Sequence, residues 1–330
     1  KANDIIVNKI WARNGSVAVV PENLDGCYGS NEFPMFAPVP EKLEPGWFHW
    51  ITKTKDFWRK CDEKSRGTSG KNRIRPERFL EIEIPLPPLQ EQRRIAALIE
   101  NFATRIEEAQ RLRRQAMEAA DSVVQSALYE SFVVRSGDWQ KMSMTEAIVV
   151  NDRQVNPTLP EYSALPHING ESIESKTCRL LPYRTAEEDG VRSNKYLFFP
   201  GTVLYSKIRP YLRKAVYVDF QGLCSADIYP IKVINEKLEP KFVMWSLVAD
   251  PFTEYANLLS GRTRMPKLNR KQLFSFALTY PRKDEQRRIV SYLDDLQMKT
   301  EALKKSQAEA LKETDRLLPS VLDKAFRGEL

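Results

Sequence analysis

The chain has few of the residues that build metal or disulfide sites. It holds four cysteines and two histidines among 330 residues. The cysteines are scattered without Cys-x-x-Cys spacing, so neither a zinc site nor a disulfide framework is indicated. No apolar run approaches the ~18 residues that a membrane span requires, and the opening residues lack the pattern of a secretory signal. We therefore expect no bound metal, no membrane contact and a cytoplasmic location.

The loops typical of nucleotide-binding and nucleophilic enzymes are also missing. The sequence contains no Gly-x-Gly-x-x-Gly, no Gly-x-x-x-x-Gly-Lys-Ser/Thr and no Gly-x-Ser-x-Gly. One alternative is a nuclease, since Glu174-x-Lys176, with Asp152 upstream, has the spacing of many metal-dependent nucleases. Such a tripeptide is common by chance. We therefore expect no catalytic residue and no cofactor in this chain.

What the chain does have is an internal duplication. Glu-Gln-Arg-Arg-Ile occurs at Glu91–Ile95 and again at Glu285–Ile289, a shift of 194 positions (285 − 91). Upstream landmarks also match, namely Asn8 to Ile10 with Ser206 to Ile208, Ser30 to Phe33 with Ser225 to Ile228, and Trp50 with Trp245. Duplication predicts two copies of one structural unit. Roughly 60 residues at the front of the second copy lack a counterpart, so we expect an N-terminally incomplete first domain.

Each copy of the motif opens a long helical run after a proline-ended segment. Apolar residues recur at seven-residue intervals in both runs, which predicts a coiled-coil seam. The residues expected to pair the helices are Ile95, Phe102, Ala109, Ala116, Ile289, Leu296, Leu303, Ala310 and Leu317. Because a globular segment separates two helices of identical phase, we predict antiparallel pairing about a pseudo-twofold axis.

The remaining segments mix short strands, turns and helices, which is typical of α/β lobes. The predicted fold class is α+β, with two α/β domains separated by two long antiparallel helices that form a coiled coil. The predicted boundaries are 1–88 for the first domain, 89–138 for the first helix, 139–283 for the second domain and 284–330 for the second helix.

Positive charge is concentrated on these lobes. The formal net charge is +7, and residues 139–283 hold 21 Lys and Arg against 14 Asp and Glu. Basic clusters at matched positions in both copies favour a protein that grips a polyanion at two places. The candidate DNA contacts are Lys9, Arg13, Arg66, Lys71, Arg73, Lys207, Arg209, Arg213, Lys214, Arg262, Arg264 and Lys267. His167 is predicted either to read a base edge or to cap a loop.

Three segments carry a resemblance to a known family: Pro85 to Ile95, Asp284 to Ile289 and Lys324 to Leu330. With these segments in this order, the chain resembles the DNA specificity subunit of type I restriction-modification enzymes. The resemblance implies a non-catalytic subunit whose two target recognition domains each read half of a split site in double-stranded DNA. The helices would then fix the distance between the half-sites.

The resemblance also implies partners. Two methylation subunits would dock on the helices, bind S-adenosylmethionine and methylate adenine, and restriction and translocation subunits would join through that core. The alternative from another class is a coiled-coil scaffold whose lobes bind protein rather than DNA.

Overall fold

The computed structural model describes residues 1–65, 73–261 and 265–330. They form two compact units, one made of Lys1–Ala116 with Lys305–Leu330 and the other of Met117–Lys304. Each unit therefore contains one lobe together with parts of both long helices. None of the helices in these ranges has the length and apolar character of a membrane-spanning segment.

Short strands and helices alternate along the lobes. The strands are β1 (Ile5–Val7), β2 (Val17–Val19), β3 (Met35–Phe36), β4 (Gln140–Ser143), β5 (Ile148–Val150), β6 (Gln154–Val155), β7 (Pro166–Ile168), β8 (Arg184–Thr185), β9 (Lys195–Phe198), β10 (Thr202–Ser206), β11 (Ala215–Val218), β12 (Gly222–Cys224), β13 (Ile228–Val233) and β14 (Ala277–Tyr280). The helices are α1 (Pro45–Ile51), α2 (Lys55–Lys64), α3 (Pro76–Leu80), α4 (Leu89–Tyr129), α5 (Met144–Ala147), α6 (Pro160–Ser163), α7 (Pro240–Val248), α8 (Asp250–Leu259), α9 (Arg270–Phe274), α10 (Lys283–Thr314) and α11 (Leu317–Phe326).

Each lobe has its own central sheet, and the two sheets have the same arrangement of three strands. In the first lobe β1 lies between β2 and β3, and in the second lobe β10 lies between β11 and β13, with all pairs antiparallel. Helices α1, α2 and α3 correspond in order to α7, α8 and α9. The duplication predicted from the sequence is therefore confirmed in the backbone.

The second lobe contains a further five-stranded sheet, with the strand order β6-β9-β12-β7-β8. One face buries Ile168, Phe198 and Cys224, and the other buries Leu197 and Leu223. This alternation follows from the two-residue period of a strand, which points successive side chains to opposite faces. Within residues 1–65 and 73–88 no such sheet is present.

Each lobe packs against the end of a long helix as well as the beginning of one. In the first unit Phe326 of α11 contacts the ring of Trp47 in α1, with the centroids 5.7 Å apart. In the second unit Phe132, just after α4, contacts Phe242 in α7 with the centroids 5.2 Å apart. The two contacts are equivalent, so each unit repeats the same packing of lobe on helix.

Within the first unit the long helices run antiparallel. Arg113 of α4 donates to Gln307 of α10 at 2.9 Å, and Gln110 donates to Asp315 at 2.9 Å. The later residue of α4 therefore pairs with the earlier residue of the second helical run, as expected for antiparallel helices. In the second unit Lys304 of α10 donates to Asp121 of α4 at 2.6 Å. The predicted antiparallel pairing is confirmed.

Several residues of the predicted seam face inward. Ile95 and Ile289 are buried, and Leu296 is partly buried against the core of the second lobe. The three alanines of the predicted seam are half-buried, namely Ala109, Ala116 and Ala310.

Three other residues of the predicted seam face solvent. Phe102, Leu303 and Leu317 are 37%, 41% and 51% exposed, so the predicted pairing is wrong for them. A straight helix with 3.6 residues per turn drifts by about 20° per seven residues relative to a heptad repeat. Ala103 and Val124 accordingly take the inward positions on α4.

The second helical run is not continuous, which also moves Leu317 out of phase. α10 ends at Thr314 and α11 begins at Leu317. Pro319 lacks a backbone N–H, and in a continuous helix its ring would clash with the carbonyl group of Asp315, four residues earlier. The proline is tolerated because it lies in the first turn of α11.

The exposed position of Leu303 can be tested against a leucine of α10 that is buried in the core of the second lobe. Leu293 is completely buried, whereas Leu303 is 41% exposed. We expect Leu293→Ala to lower the free energy of unfolding by about 2–5 kcal/mol, the usual range for a buried leucine. Leu303→Ala is the matched control and should change it by less than about 0.5 kcal/mol. Urea denaturation measures both changes. Equal losses of stability would mean that Leu303 packs in the helix seam, as the heptad pattern predicted.

Candidate nucleic-acid interface

In the second lobe two cation-bearing segments meet at Lys207. The amide of Lys207 donates to the Asp227 carbonyl group at 3.0 Å, and its own carbonyl group accepts from the amide of Leu268 at 2.9 Å. The side chain of Lys267 lies 3.9 Å from the Asp227 carboxylate. We call this arrangement the cationic junction of the second lobe. It joins the turn after β10 to the segment before α9.

The first lobe has the same junction around Lys9. The amide of Lys9 donates to the Glu32 carbonyl group at 3.1 Å, and its carbonyl group accepts from the amide of Ile74 at 2.9 Å. Arg73 lies 3.4 Å from the Glu32 carboxylate. These residues are the counterparts expected from the aligned copies. The backbone therefore places a cation and a carboxylate at equivalent points in both lobes.

Within the second junction the lysines differ in exposure. Lys207 is 8% exposed, and its Nζ atom lies 4.9 Å from the centroid of the Tyr229 ring. Burial, and secondarily the positive charge of Lys267, lower the pKa of Lys207. Lys267 is half exposed and Arg209 is exposed. Lys267 and Arg209 can therefore reach a phosphate. Lys207 is instead buried inside the junction, with its ammonium group near the Tyr229 ring.

In the first lobe Arg73 is half exposed, whereas Lys9 is only partly exposed. Arg13 is 24% exposed and lies 4.0 Å from Asp62, at the limit of an ion pair. Four further predicted contacts lie outside the residues that the structure describes, namely Arg66, Lys71, Arg262 and Arg264.

Arg213 and Lys214 turn inward, which speaks against the prediction that they contact DNA. The Arg213 guanidinium pairs with Asp250 and donates to Gln125 and to the carbonyl group of Val248, both at 3.3 Å. Lys214 donates to the Gly170 carbonyl group, and burial lowers its pKa. Their partners lie far away in sequence, so the basic cluster gave no sign of these internal contacts.

The first lobe has a different side chain in the space that the Arg213 side chain occupies in the second lobe. Gly15 is the counterpart, six residues after Lys9 as Arg213 is after Lys207, and both have positive φ, +83° and +50°. A Cβ atom at Gly15 would come within 2.7 Å of the Trp58 ring. Trp58 instead fills the space and donates to the Thr52 carbonyl group at 2.7 Å.

The alternatives for His167 and Glu174 gain no support from their surroundings. His167 is 4% exposed, and its Nδ1 atom lies 2.7 Å from Asp189, so its ring does not face a ligand surface. The Glu174 carboxylate accepts from Thr177 at 2.7 Å and from Arg179 at 3.0 Å. Across the described ranges no group of three or more His, Cys, Asp or Glu side chains is arranged to hold a metal ion.

Sequence reasoning missed the role of Gln92 and Gln286, the second residues of the repeated motif. Both side chains are completely buried and hydrogen-bonded to the lobes. The sequence did contain a signal for this role, since the pair Glu-Pro recurs at Glu44-Pro45 and Glu239-Pro240. The backbone amides of these two glutamates donate to the side-chain oxygens of the two glutamines.

The internal role of Arg213 gives a prediction about stability. Arg213→Ala removes one partner of a largely buried ion pair and leaves Asp250 unpaired, which is destabilising. We expect the free energy of unfolding to fall by about 1–3 kcal/mol, after allowing for partial exposure. Arg209→Ala, four residues away and exposed, is the control and should leave the melting temperature unchanged. If Arg213→Ala left the melting temperature unchanged, Arg213 would have no structural role and would again be a candidate DNA contact.

The chain is similar to proteins of one family along nearly its whole length. A family model described as "Type I restriction modification DNA specificity domain" matches residues 1–114 and 138–313. The type I restriction enzyme EcoDI specificity subunit of Escherichia coli is 36% identical over 193 residues, which cover 58% of this chain and 42% of that protein. The EcoKI specificity subunit of Escherichia coli strain K12 is 23% identical over 324 residues, covering 88% of this chain and 67% of that protein.

Solved structures agree. A chain from a structure described as the basis of complex assembly and conformational transition of the type I R-M system matches with a TM-score of 0.76 and 27% identity, over 100% of this chain and 83% of that one. The HsdS subunit from Thermoanaerobacter tengcongensis matches with a TM-score of 0.66 and 28% identity, over 100% and 82%. This likeness confirms the predicted fold class. The chain belongs to the family of type I restriction-modification DNA specificity domains.

Proposed function

We propose that this chain is the DNA-reading specificity subunit of a type I restriction-modification complex and carries no catalytic group. The observation that carries the proposal is the cationic junction that recurs in both lobes. Exposed Lys267 and Arg209 in the second lobe, and Arg73 in the first, stand on loops fixed by the same backbone pairs. Membership of the family supports this use of the surface.

Affinity for DNA and discrimination between base sequences come from different contacts. Lys and Arg side chains that neutralise phosphates release counterions, so they give affinity that falls with salt. Side chains that reach the groove edges discriminate bases, and each good bidentate pair contributes about 1–3 kcal/mol. Two reading surfaces in one chain raise each other's effective concentration, so a split site is selected over either half alone.

The alternative of a protein-binding scaffold makes a different prediction about salt. Binding of duplex DNA through phosphate contacts must weaken steeply as salt rises, because the counterions released on binding are then less favoured in solution. Apolar recognition of a protein partner changes little over the same range. Duplex affinity of the assembled complex, followed across salt concentrations, separates the two functions.

We predict that Lys267→Ala weakens duplex binding. Lys267 is half exposed and its carboxylate partner lies at 3.9 Å, so the ammonium group is free to exchange Asp227 for a phosphate. Loss of one phosphate contact should reduce the slope of log affinity against log salt by about 0.9. We expect an affinity loss of about three- to tenfold at moderate salt, measured by fluorescence anisotropy of the complex assembled with its methylation subunits.

Lys299→Ala is the matched control. Lys299 lies in α10 of the same unit and pairs with Asp295 at 2.8 Å, so the variant removes the same charge at a distance from the junction. Equal effects of the two substitutions would mean that net charge alone governs binding, and the junction would lose its assigned role.

We propose that the long helices dock the methylation subunits. The support is a set of apolar side chains that α4 and α10 leave exposed within the second unit, namely Val123, Tyr292, Met298 and Leu303. Helices that serve only as spacers have no need of exposed apolar side chains, whereas interfaces are enriched in aromatic residues and methionine. Restriction and translocation subunits would join through the core formed in this way.

We predict that Tyr292→Ser weakens binding of the methylation subunit about tenfold. Tyr292 is 55% exposed, and truncation of a tyrosine anchor commonly costs more than 1 kcal/mol at an interface. Isothermal titration of the two purified subunits measures the change. Tyr28→Ser, at a fully exposed tyrosine of the first lobe, is the control, and an equal response from both variants would remove the helix face from the interface.

We also propose that S-adenosylmethionine binds to the methylation subunits rather than to this chain. The sequence has none of the Gly-rich loops that commonly hold a nucleotide-like cofactor. The assembled complex would methylate adenine at the site that the two lobes select. Equilibrium dialysis of labelled S-adenosylmethionine against each purified subunit tests this division of labour.

A further inference from the structure

Each long helix begins with a glutamine that is completely buried against a lobe. In the first unit Gln92 Oε1 accepts from the Glu44 amide at 2.9 Å, and Nε2 donates to the carbonyl groups of Lys42 and Pro87, both at 2.8 Å. One side chain therefore ties together three segments. These are the loop before α1, the proline-ended connector and the first turn of α4.

The second unit repeats the same contacts. Gln286 Oε1 accepts from the Glu239 amide at 2.9 Å, and Nε2 donates to the carbonyl groups of Lys237 and Pro281, both at 2.9 Å. We call each set of three hydrogen bonds a glutamine clamp. Its partners in the two units are equivalent residues of the two copies, including the Glu-Pro pair that opens α1 and α7.

A surface ion pair closes each clamp on its outer side. Arg93 contacts the Glu44 carboxylate at 3.0 Å, and Arg287 contacts the Glu239 carboxylate at 2.8 Å. These glutamates thus bind the long helix through both the amide and the side chain. An exposed ion pair contributes little to stability, so the buried amide contacts dominate the attachment.

The clamp constrains direction as well as contact. Apolar packing tolerates small slides and rotations, whereas three hydrogen bonds from one side chain, two to the lobe loop and one to the connector, fix one relative orientation of the groups that they join. A lobe that pivots on its connector must break at least one of them. A buried amide group left without a partner costs about 1–3 kcal/mol, so tilted orientations of the lobe are disfavoured.

We propose that Gln92 and Gln286 are positioning residues that determine which half-site spacing the subunit accepts. This inference rests on the proposed function of the lobes in reading a split DNA site. One base pair of spacing moves a half-site by about 3.4 Å along the duplex and turns it by about 34° around the duplex axis, so a lobe must both shift and turn on its helix to accept a spacing that is one base pair longer or shorter. The clamps exclude that movement.

The test compares the methylation patterns that the wild-type and clamp-deficient complexes leave on host DNA. The double variant Gln92→Met with Gln286→Met keeps the volume of the side chains but removes all six hydrogen bonds. Each variant chain is expressed with its methylation subunits, and the modified adenines are mapped by sequencing. The positions of the modified adenines reveal both the half-site sequences and the distribution of spacings, so the recognised site need not be identified beforehand.

With the clamps intact we expect one spacing. In the double variant we expect the same half-site sequences, with the share of methylated sites one base pair longer or shorter rising at least tenfold. A purely stabilising role for the glutamines would lower the melting temperature and the number of methylated sites while leaving a single spacing. That outcome would overturn the inference.

Gln115→Met is the matched control. Gln115 is exposed on α4 and accepts from Arg111 of the same helix, so this variant makes the same chemical change at a surface position. If the double variant yields no complex, the single variant Gln286→Met decides by the same criterion. A wild-type complex that leaves no bipartite methylation would instead refute the proposed function itself, which separates the two failures.

Discussion

The structure depends on one buried amide group at the start of each long helix. Gln92 and Gln286 are both 0% exposed, and each binds two carbonyl groups and one amide from other segments. An amide side chain is rarely removed from water unless its hydrogen bonds are made elsewhere. The first turn of each of the helices α1 and α7 is also held by an aromatic contact, Phe326 on Trp47 and Phe132 on Phe242. Each lobe thus contacts the beginning of one long helix and the end of a helical run.

Apart from these shared contacts, the two lobes differ in the side chain that packs beside one matched turn. The backbone at Gly15 and Arg213 has the same left-handed conformation, yet Trp58 fills the space in the first lobe and the Arg213 guanidinium fills it in the second. Both side chains donate to a carbonyl group at the end of the neighbouring helix, that of Thr52 or of Val248. The same backbone conformation is therefore compatible with two different side-chain packings, and neither disturbs the attachment of the lobe.

The sequence was sufficient for whatever depends on repetition or on local periodicity. The repeated motif predicted the duplication, the matched landmarks identified Lys9 and Lys207 as equivalent residues, and the apolar spacing predicted paired helices. It was insufficient where distant residues decide the outcome. The partner of Arg213 is Asp250, and a basic cluster gives no hint that one of its members turns inward. The heptad pattern also predicted inward positions for residues that are exposed. Pro319 interrupts the second helical run, and a straight helix drifts from a seven-residue repeat.

The choice of glutamine at the clamp is itself informative. A leucine at Gln92 or Gln286 would bury more apolar surface, but it would leave one backbone amide and two carbonyl groups of the surrounding segments without their partners. What a glutamine adds is geometry, since its carbonyl oxygen and its amide nitrogen must each find a partner of the opposite kind. Buried polar groups that select one arrangement at some cost in stability are known from coiled coils, where a single asparagine fixes the register. The same three contacts recur in both copies, so in each of them the glutamine can both attach the lobe and fix its orientation on the long helix.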